Sequence, residues 1–261
     1  MVDVTIFVEG GVIPSLANPQ LTPDSSNLLR ESFHTLLSQK INAQEFNLIV
    51  IPIGGYLNVP KLFIPEAAKN NNAATLLDFA EPSDNLNKAI RLGVSKYSKL
   101  SFDPNDVWAF RDECVLEVGL EGYQERVFFM NRELEAWILS QPDEIERYGE
   151  REGFVRKRIG SSIADHTSLK VSHPSIINDP KSALNTIFIQ FFDKLKLMND
   201  GKTKPKPREY KAKDGPHLIA MLDLEKLMTT FPDAKNLIEW IINKPYFLIV
   251  FGKPILTKRR L

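Results

Sequence analysis

The stretch "VTIFVEGGV", residues 4–12, decides the fold prediction because an apolar, β-branched run ends there in a carboxylate and two glycines. A continuous apolar run of this length, bounded by glycine, is typical of a buried strand. Glu9 would then lie at the carboxyl end of the first strand, followed by Gly10 and Gly11. An acid in that position belongs either to a solvated loop or to a functional site.

The same pattern returns twice. "FNLIVIPI" (46–53) ends at Gly54 and Gly55, and "ATLL" (74–77) leads directly into Asp78. Helical patterns lie between these runs, the first with an apolar stripe formed by Leu29, Phe33, Leu36 and Leu37. This order predicts an α/β fold with a parallel sheet flanked by helices. Ligands of such sheets gather at the carboxyl ends of the strands.

Acidic side chains at that edge form a candidate metal site. Glu9, Asp78 and Glu81 are its main members, with Asp84 and Glu135 as further carboxylates. Mg²⁺ or Mn²⁺ would suit oxygen ligands of this kind, and a metal pair could clamp a phosphodiester. Glu9 could be a ligand or a general acid or base. The alternative is that these acids only mark solvated loops.

Candidate phosphate contacts come from glycine pairs and basic clusters. Gly10–Gly11 and Gly54–Gly55 could bring backbone amides close to phosphate, or could only form tight turns. The chain has 33 basic and 33 acidic residues, so polyanion binding would require local charge or a metal. The basic clusters are "VRKR" (155–158), "KTKPKPREYKAK" (202–213) and "TKRR" (257–260).

The C-terminal part shows a different pattern, with a boundary expected near residue 145. We expect a catalytic core over 1–145 and a mainly helical region over 146–261 that completes the same globular unit. The clearest helical pattern there is "SALNTIFIQFFDKLKLM" (182–198), and the Pro- and Lys-rich stretch 199–216 predicts an exposed loop. "YFLIVFGKPIL" (246–256) predicts a closing strand.

The cysteine content, the N-terminus and the length of the apolar runs favour a cytoplasmic protein. Cys114 is the only cysteine, so no disulfide framework is expected, which fits a reducing compartment. Asp3 and Glu9 interrupt any targeting pattern at the N-terminus, and the apolar run 246–251 is too short to cross a bilayer. We therefore expect no membrane association.

Several short motifs together resemble a known family. "FVEGG", "LLRESFHTLL", "IPIGG" and "LLDFAEP" resemble the opening of the Toprim domain. "VFFMNRELEAWILSQPDEIERYG", "DPKSAL" and "EYKAKDGPHLIAMLD" extend the likeness to domain-of-unknown-function family 4276, which is related to the overcoming-lysogenization-defect (OLD) nucleases. The resemblance implies a Toprim-like Rossmannoid sheet with Mg²⁺-dependent action on phosphodiester bonds.

The resemblance also implies roles for acidic residues. Glu9 matches the glutamate after the first strand, and Asp78 matches the first acid after the third. The family has another acid two residues after that aspartate. Ala80 occupies this position here, and Glu81, one residue further on, is a possible replacement. Glu135 matches the acid that precedes the family's tryptophan.

Basic positions complete the comparison. Lys181 and Lys211 match positions that would stabilise the scissile phosphate, and Lys213 is a close alternative to Lys211. Tyr56 stands where an arginine would be expected.

We therefore predict a Mg²⁺-dependent nuclease acting on DNA or RNA. The family resemblance implies an ATPase partner protein and a role in prokaryotic antiphage defence. Two alternatives stay open: a non-catalytic binding or sensor subunit that regulates an ATPase, and an enzyme acting on a small phosphorylated ligand.

Overall fold

A four-stranded parallel sheet carries the apolar runs of the N-terminal half of the chain. Its strands are β1 (Val2–Val8), β2 (Phe46–Pro52), β3 (Ala73–Asp78) and β4 (Val127–Met130), in the order β2-β1-β3-β4. β1 pairs in parallel with β2 from Val2–Phe46 to Val8–Pro52, and with β3 from Thr5–Ala73 to Val8–Leu76. The α/β class, the parallel sheet and its three predicted strands are confirmed.

The structure is a computed structural model, and the chain divides into two compact units. It describes residues 1–11, 24–55, 58–78, 119–130, 133–177, 179–197, 202–244, 246–250 and 253–257. Unit 1 comprises Met1–Asp78, Ala109–Phe129 and Leu224–Leu261, and unit 2 comprises Phe79–Trp108 and Met130–Asp223.

Helices alternate with these strands and dominate several later segments. Within the described residues they are α1 (Asp24–Ser38), α2 (Val59–Ala67), α3 (Leu134–Leu139), α4 (Pro142–Arg151), α5 (Pro180–Phe191), α6 (Asp214–Ile219), α7 (Leu224–Thr230) and α8 (Pro232–Ile242). Short 3₁₀ turns span Gln124–Arg126, Ile163–Asp165, Thr167–Leu169 and Pro174–Ile176. The expected boundary at residue 145 falls inside α4. Among the described residues, no helix has the length and apolar character needed to cross a membrane.

The core of unit 1 forms around β1, whose last five residues are buried. The Phe7 ring packs edge-on against Phe63 of α2 at 5.9 Å between centroids, and Phe63 packs against Tyr123 at 5.5 Å. The buried hydroxyl of Thr75 on β3 donates to the Phe7 carbonyl at 3.1 Å. Burial of these side chains fixes the register in which β1 and β3 end side by side.

A three-stranded antiparallel sheet in unit 2 corrects the prediction for the C-terminal part. Its strands are β5 (Val155–Arg156), β6 (Phe192–Leu197) and β7 (Thr203–Pro207), in the order β5-β6-β7. The helix predicted over 182–198 therefore ends at Phe191, because the residues that follow pair as strand β6 with β5 and β7.

The exposed loop predicted over 199–216 is also wrong in part. It contains β7 and the start of α6, and the side chains of Arg208, Tyr210 and Asp214 within it are buried. The predicted closing strand is a two-stranded hairpin formed by β8 (Tyr246–Val250) and β9 (Lys253–Thr257).

Candidate functional site

Glu9 and Asp78 meet at the carboxyl edge of the parallel sheet. β1 ends at Val8 and β3 at Asp78, and the Glu9 amide donates to the Leu76 carbonyl at 2.9 Å, which extends the pairing by one residue. Glu9 Oε2 accepts a hydrogen bond from the backbone N–H of Asp78 at 3.0 Å. Both side chains are half-buried. Adjacent parallel strands thus place these two acids side by side.

The glycine pairs form a bridge beside Glu9. Gly10 and Gly54 each donate their amide to the carbonyl of the other, at 2.7 and 2.9 Å, and both have positive φ angles, of 114° and 69°. Glycine suits these positions because side chains rarely adopt such angles. The N–H groups of Gly10 and Gly54 are therefore already used within the protein, whereas Gly11 and Gly55 of the two predicted phosphate-binding pairs are exposed.

The remaining members of the acidic cluster fall outside the residues that the structure describes. These are Glu81 and Asp84, and the same holds for the two departures from the family pattern, Ala80 and Tyr56. Across the described ranges, no group of three or more His, Cys, Asp or Glu side chains is arranged to hold a metal ion. Glu9 and Asp78 therefore stand as a pair.

Glu135 belongs to unit 2, in the first turn of α3. Its Oε1 accepts a hydrogen bond from the Tyr210 hydroxyl at 3.0 Å. Burial raises the pKa of the Tyr210 phenol, and the neighbouring Glu135 carboxylate raises it further. The hydroxyl consequently stays protonated and holds the Glu135 carboxylate in place as a donor.

Lys181 and Lys211 line one open cavity of about 350 Å³ in unit 2. Lys181 is in the first turn of α5, whose N-cap Asp179 accepts the Ser182 amide at 2.7 Å. The other lining residues are Asp179, Ser182, Asn185, Glu209 and Tyr210. Tyr210 connects this cavity to Glu135. The structure thus brings together both predicted phosphate-stabilising lysines, whereas Lys213 does not line the cavity and is exposed at the N-cap of α6.

Local contacts set the charge of the cavity. Lys211 Nζ forms an ion pair with Glu209 at 2.5 Å, and this bond holds the pKa of Glu209 below its usual range. Asn185 Oδ1 accepts the Tyr210 amide at 3.0 Å, so α5 fixes the backbone that carries Lys211. The two lysines of the cavity are thus accompanied by two carboxylates, those of Asp179 and Glu209, and Lys211 is paired with the second.

Asp214 organises the segment beneath the cavity and was missed by sequence reasoning. Its carboxylate accepts two bonds from Arg208 Nη2 at 2.6 and 2.7 Å, one from the Tyr148 hydroxyl at 2.8 Å and one from the Lys211 amide at 2.7 Å. Burial of Tyr148 and its hydrogen bond to Asp214 raise the pKa of the Tyr148 phenol. The only signal in the sequence is the "REYKAKD" run itself, in which Arg208 and Asp214 have opposite charges.

Comparison of the chain with protein-family models, with curated proteins and with solved structures found no match.

Proposed function

We propose that the protein is a Mg²⁺-dependent nuclease of the Toprim type, which hydrolyses phosphodiester bonds of DNA or RNA. One observation carries the proposal: the Glu9 carboxylate contacts the backbone of Asp78 where two adjacent parallel strands end. Functional groups of parallel sheets gather at this edge. The family resemblance of the surrounding motifs supports the same assignment.

The residues present suit a hard divalent cation. Mg²⁺ keeps several waters and is usually bound through one or two carboxylates, so Glu9 and Asp78 are proposed as its first protein ligands. Mn²⁺ takes the same oxygen donors. Glu81 is proposed as a further ligand in place of the acid missing at Ala80, and Glu135 as another. When bound, the cation would offset negative charge on the phosphate oxygens.

The side chains of the chain itself supply orientation and positive charge. The Asp78 amide holds one oxygen of Glu9, which fixes the direction of the group proposed as acid, base or ligand. Lys181 and Lys211 are proposed to stabilise charge on the phosphate. Asp214 is a positioning residue in this scheme because it holds the Lys211 backbone.

The proposed biological setting follows from the family resemblance. It includes an ATPase partner and antiphage defence in a prokaryote. No contact of the described residues bears on that setting, so it rests on the quoted motifs alone.

Substitutions at Glu9 and Asp78 test the catalytic proposal. We expect Glu9→Gln and Asp78→Asn to lower the rate of DNA or RNA cleavage in Mg²⁺ or Mn²⁺ by roughly 10²–10⁴-fold, the usual contribution of a positioned acid or base. Asp3→Asn is the matched control, because Asp3 lies on the same strand and accepts a bond from Asn47 at 2.8 Å. Equal cleavage by all three variants and the wild type would refute the proposed centre.

A non-catalytic binding or sensor subunit that regulates an ATPase is the second candidate. The sequence observations that favour it are Ala80 in the position of an acid and Tyr56 in the position of an arginine. Wild-type protein that cleaves no DNA or RNA substrate in either metal, yet changes the turnover of a partner ATPase, would establish this function instead.

A further inference from the structure

Strands β6 and β7 of unit 2 place four lysines on one face of a two-stranded ribbon. The antiparallel register pairs Lys194 with Lys206 and Lys196 with Lys204. Cross-strand partners point to the same side of a sheet, and residues two apart in a strand do so as well. These four residues therefore form a single surface, which we call the lysine face.

The opposite face of the ribbon is largely uncharged. Leu195 is paired with Pro205 and Leu197 with Thr203, and the two leucine side chains are 57% and 69% exposed. β5 pairs with β6 only through Phe192 and Asp193. From Lys194 onward, the described part of β6 is therefore paired with β7 alone, and the lysine face is accessible along the ribbon.

Within the described residues, no acid forms an ion pair with the lysine face. Like charges directly across an antiparallel pair destabilise it. All four lysines are exposed, and in the described part of the chain none of them forms an ion pair. The nearest acid along β6, Asp193, pairs with Lys157 at 3.3 Å. Glu209, which does feel the field of Lys206 and Lys194, is bonded to Lys211. This arrangement suits an external polyanion.

We propose that the lysine face binds the phosphate backbone of duplex nucleic acid. Lysines two residues apart in one strand lie roughly 6.6–6.8 Å apart along it. That spacing equals about two phosphate steps of one DNA strand, at about 3.4 Å of helix axis each. A two-stranded ribbon also fits the width of the major groove. The spacing of the lysines thus matches the regular spacing of phosphates along a DNA strand.

The composition of the ribbon favours a duplex over a single strand. Proteins that bind single strands add aromatic side chains on which bases stack. The one aromatic residue of β6 and β7, Phe192, is buried. The ribbon accordingly offers charge without a stacking surface, and we expect no preference for base sequence.

The same geometry disfavours an anionic membrane as the occupant. The two exposed leucines lie on the face opposite the lysines, so a membrane that took the leucine face would leave the lysine face in water. A soluble polyanion uses the lysine face directly.

This inference rests on the proposed function for its biological meaning, because it supplies a contact for the polymeric substrate. The binding measurement does not depend on catalysis. It is made with the wild-type protein in the absence of divalent metal. Wild-type protein that binds duplex DNA but cleaves no DNA or RNA in Mg²⁺ or Mn²⁺ would therefore count against the proposed nuclease and not against the lysine face.

The test compares two quadruple variants by fluorescence anisotropy with a mixed-sequence DNA duplex. One variant carries K194Q, K196Q, K204Q and K206Q, and the matched control carries K61Q, K69Q, K226Q and K235Q on exposed positions of unit 1. Four contacts at about 0.9 each predict that the slope of log K against log salt becomes shallower by roughly 3–4 in the first variant, with at least tenfold weaker binding near 0.1 M salt. The control should keep the wild-type slope.

Further variants test whether charge alone is required, and competing ligands test whether a duplex is preferred to a single strand or a membrane. Replacing the same four lysines with arginine should retain binding, and Leu195→Thr with Leu197→Thr should leave it unchanged. Equal slopes for the ribbon variant and the control would overturn the proposal. So would wild-type protein that prefers an oligo-dT single strand to the duplex, or that binds vesicles of anionic lipid and not DNA.

Discussion

Asp214 shows how one buried carboxylate can hold the segment 208–214 in place. It is 1% exposed and bonds Arg208, which is 7% exposed, so the two charges are removed from water together. Asp214→Asn removes the negative charge and leaves the Arg208 guanidinium buried beside a neutral amide. Losing one partner of a buried pair costs about 3–5 kcal/mol. We expect a decrease of that size in the free energy of unfolding, measured by urea denaturation.

Glu209→Gln is the matched control for this substitution. Glu209 lies five residues away, is exposed, and pairs with Lys211 on the surface. Exposed ion pairs contribute little to stability. If Asp214→Asn changed the urea midpoint no more than Glu209→Gln does, the interpretation of Asp214 as an organising residue would be wrong.

Lys244 gives a prediction that depends on pH. Its ammonium lies 3.6 Å from the centroid of the Trp240 ring and donates to the Asn71 carbonyl at 3.0 Å. Burial, and then repulsion from Arg126, lowers the pKa of Lys244 to about 8 from an ordinary value of 10.5, against a smaller opposing effect of Glu125. Between these two values the unfolded chain binds a proton that the folded chain has released.

Stability should therefore rise with pH across this window when compared with a variant that lacks the amine. Between pH 8 and 10 we expect the free energy of unfolding of the wild type to increase relative to that of Lys244→Met. The increase should be smaller than the limit for one proton, about 1.4 kcal/mol per pH unit. Half-burial and solvent screening keep the gain below this limit. Lys235→Met, which removes an exposed lysine paired with Glu239, controls for loss of a charge. Stability differences that do not vary with pH would refute the prediction.

At the scale of elements, the parallel sheet was predictable because its strands are uninterrupted apolar runs. Glu9 follows β1 directly, Gly54 lies two residues after β2, and β3 ends at Asp78, and these residues allowed Glu9 and Asp78 to be predicted at one edge. The carboxyl ends of neighbouring strands lie side by side in any parallel pair. This placement can therefore be predicted without knowledge of side-chain contacts. The hydrogen bond between Glu9 and the Asp78 amide is a refinement of this placement.

The elements of unit 2 were harder to predict because long-range contacts decide them. The apolar run that forms α5 continues into Phe192, but the Phe192 carbonyl accepts the Arg208 amide at 3.0 Å and the strand begins there. A side chain at Gly149 of α4 would meet the Phe192 ring at 2.3 Å, so this glycine makes room for the turn from helix to strand. Neither contact can be inferred from local sequence.

The same limit explains why the stretch 199–216 was predicted as a loop. Its prolines and lysines are typical of exposed turns. Pro205 and Pro207 nevertheless fit β7, because proline is tolerated on an edge strand. The burial of Tyr210 depends on Glu135 and Asn185, which are distant in sequence. The sequence therefore indicated Lys211 as a candidate but showed no sign of the residues that fix its backbone.

At the scale of the whole molecule, a formal net charge of zero conceals strong local asymmetry. The acidic pair of unit 1 and the lysine face of unit 2 lie on separate parts of the chain, and the balance of 33 basic and 33 acidic residues hides both. Net charge governs long-range attraction, whereas local clusters govern contact with a polymer. The salt dependence of the proposed DNA binding therefore tests the local charge, which the net charge does not reveal.

The C-terminal segment completes the N-terminal unit, which makes truncation informative. α7, α8 and the residue between them contribute buried side chains to unit 1, namely Leu224, Leu227, Phe231, Ala234, Leu237, Ile238 and Ile241. Asp233 also accepts the Phe129 amide of β4 at 3.0 Å, and Gln39 accepts the Leu224 amide at 3.0 Å. Each large apolar side chain contributes about 1.5–3 kcal/mol on burial.

Ending the chain at Asp223 should therefore unfold unit 1, because the lost burial is comparable with the about 5–15 kcal/mol of net stability typical of a domain. The matched control ends at Lys244 and removes only the hairpin, whose strands pair with each other and with no other described strand. We expect the amides of β1 and β3 to exchange rapidly with deuterium in the shorter chain and to stay protected in the control. Protection of both strands in both truncated chains would show that the sheet is stable without α7 and α8.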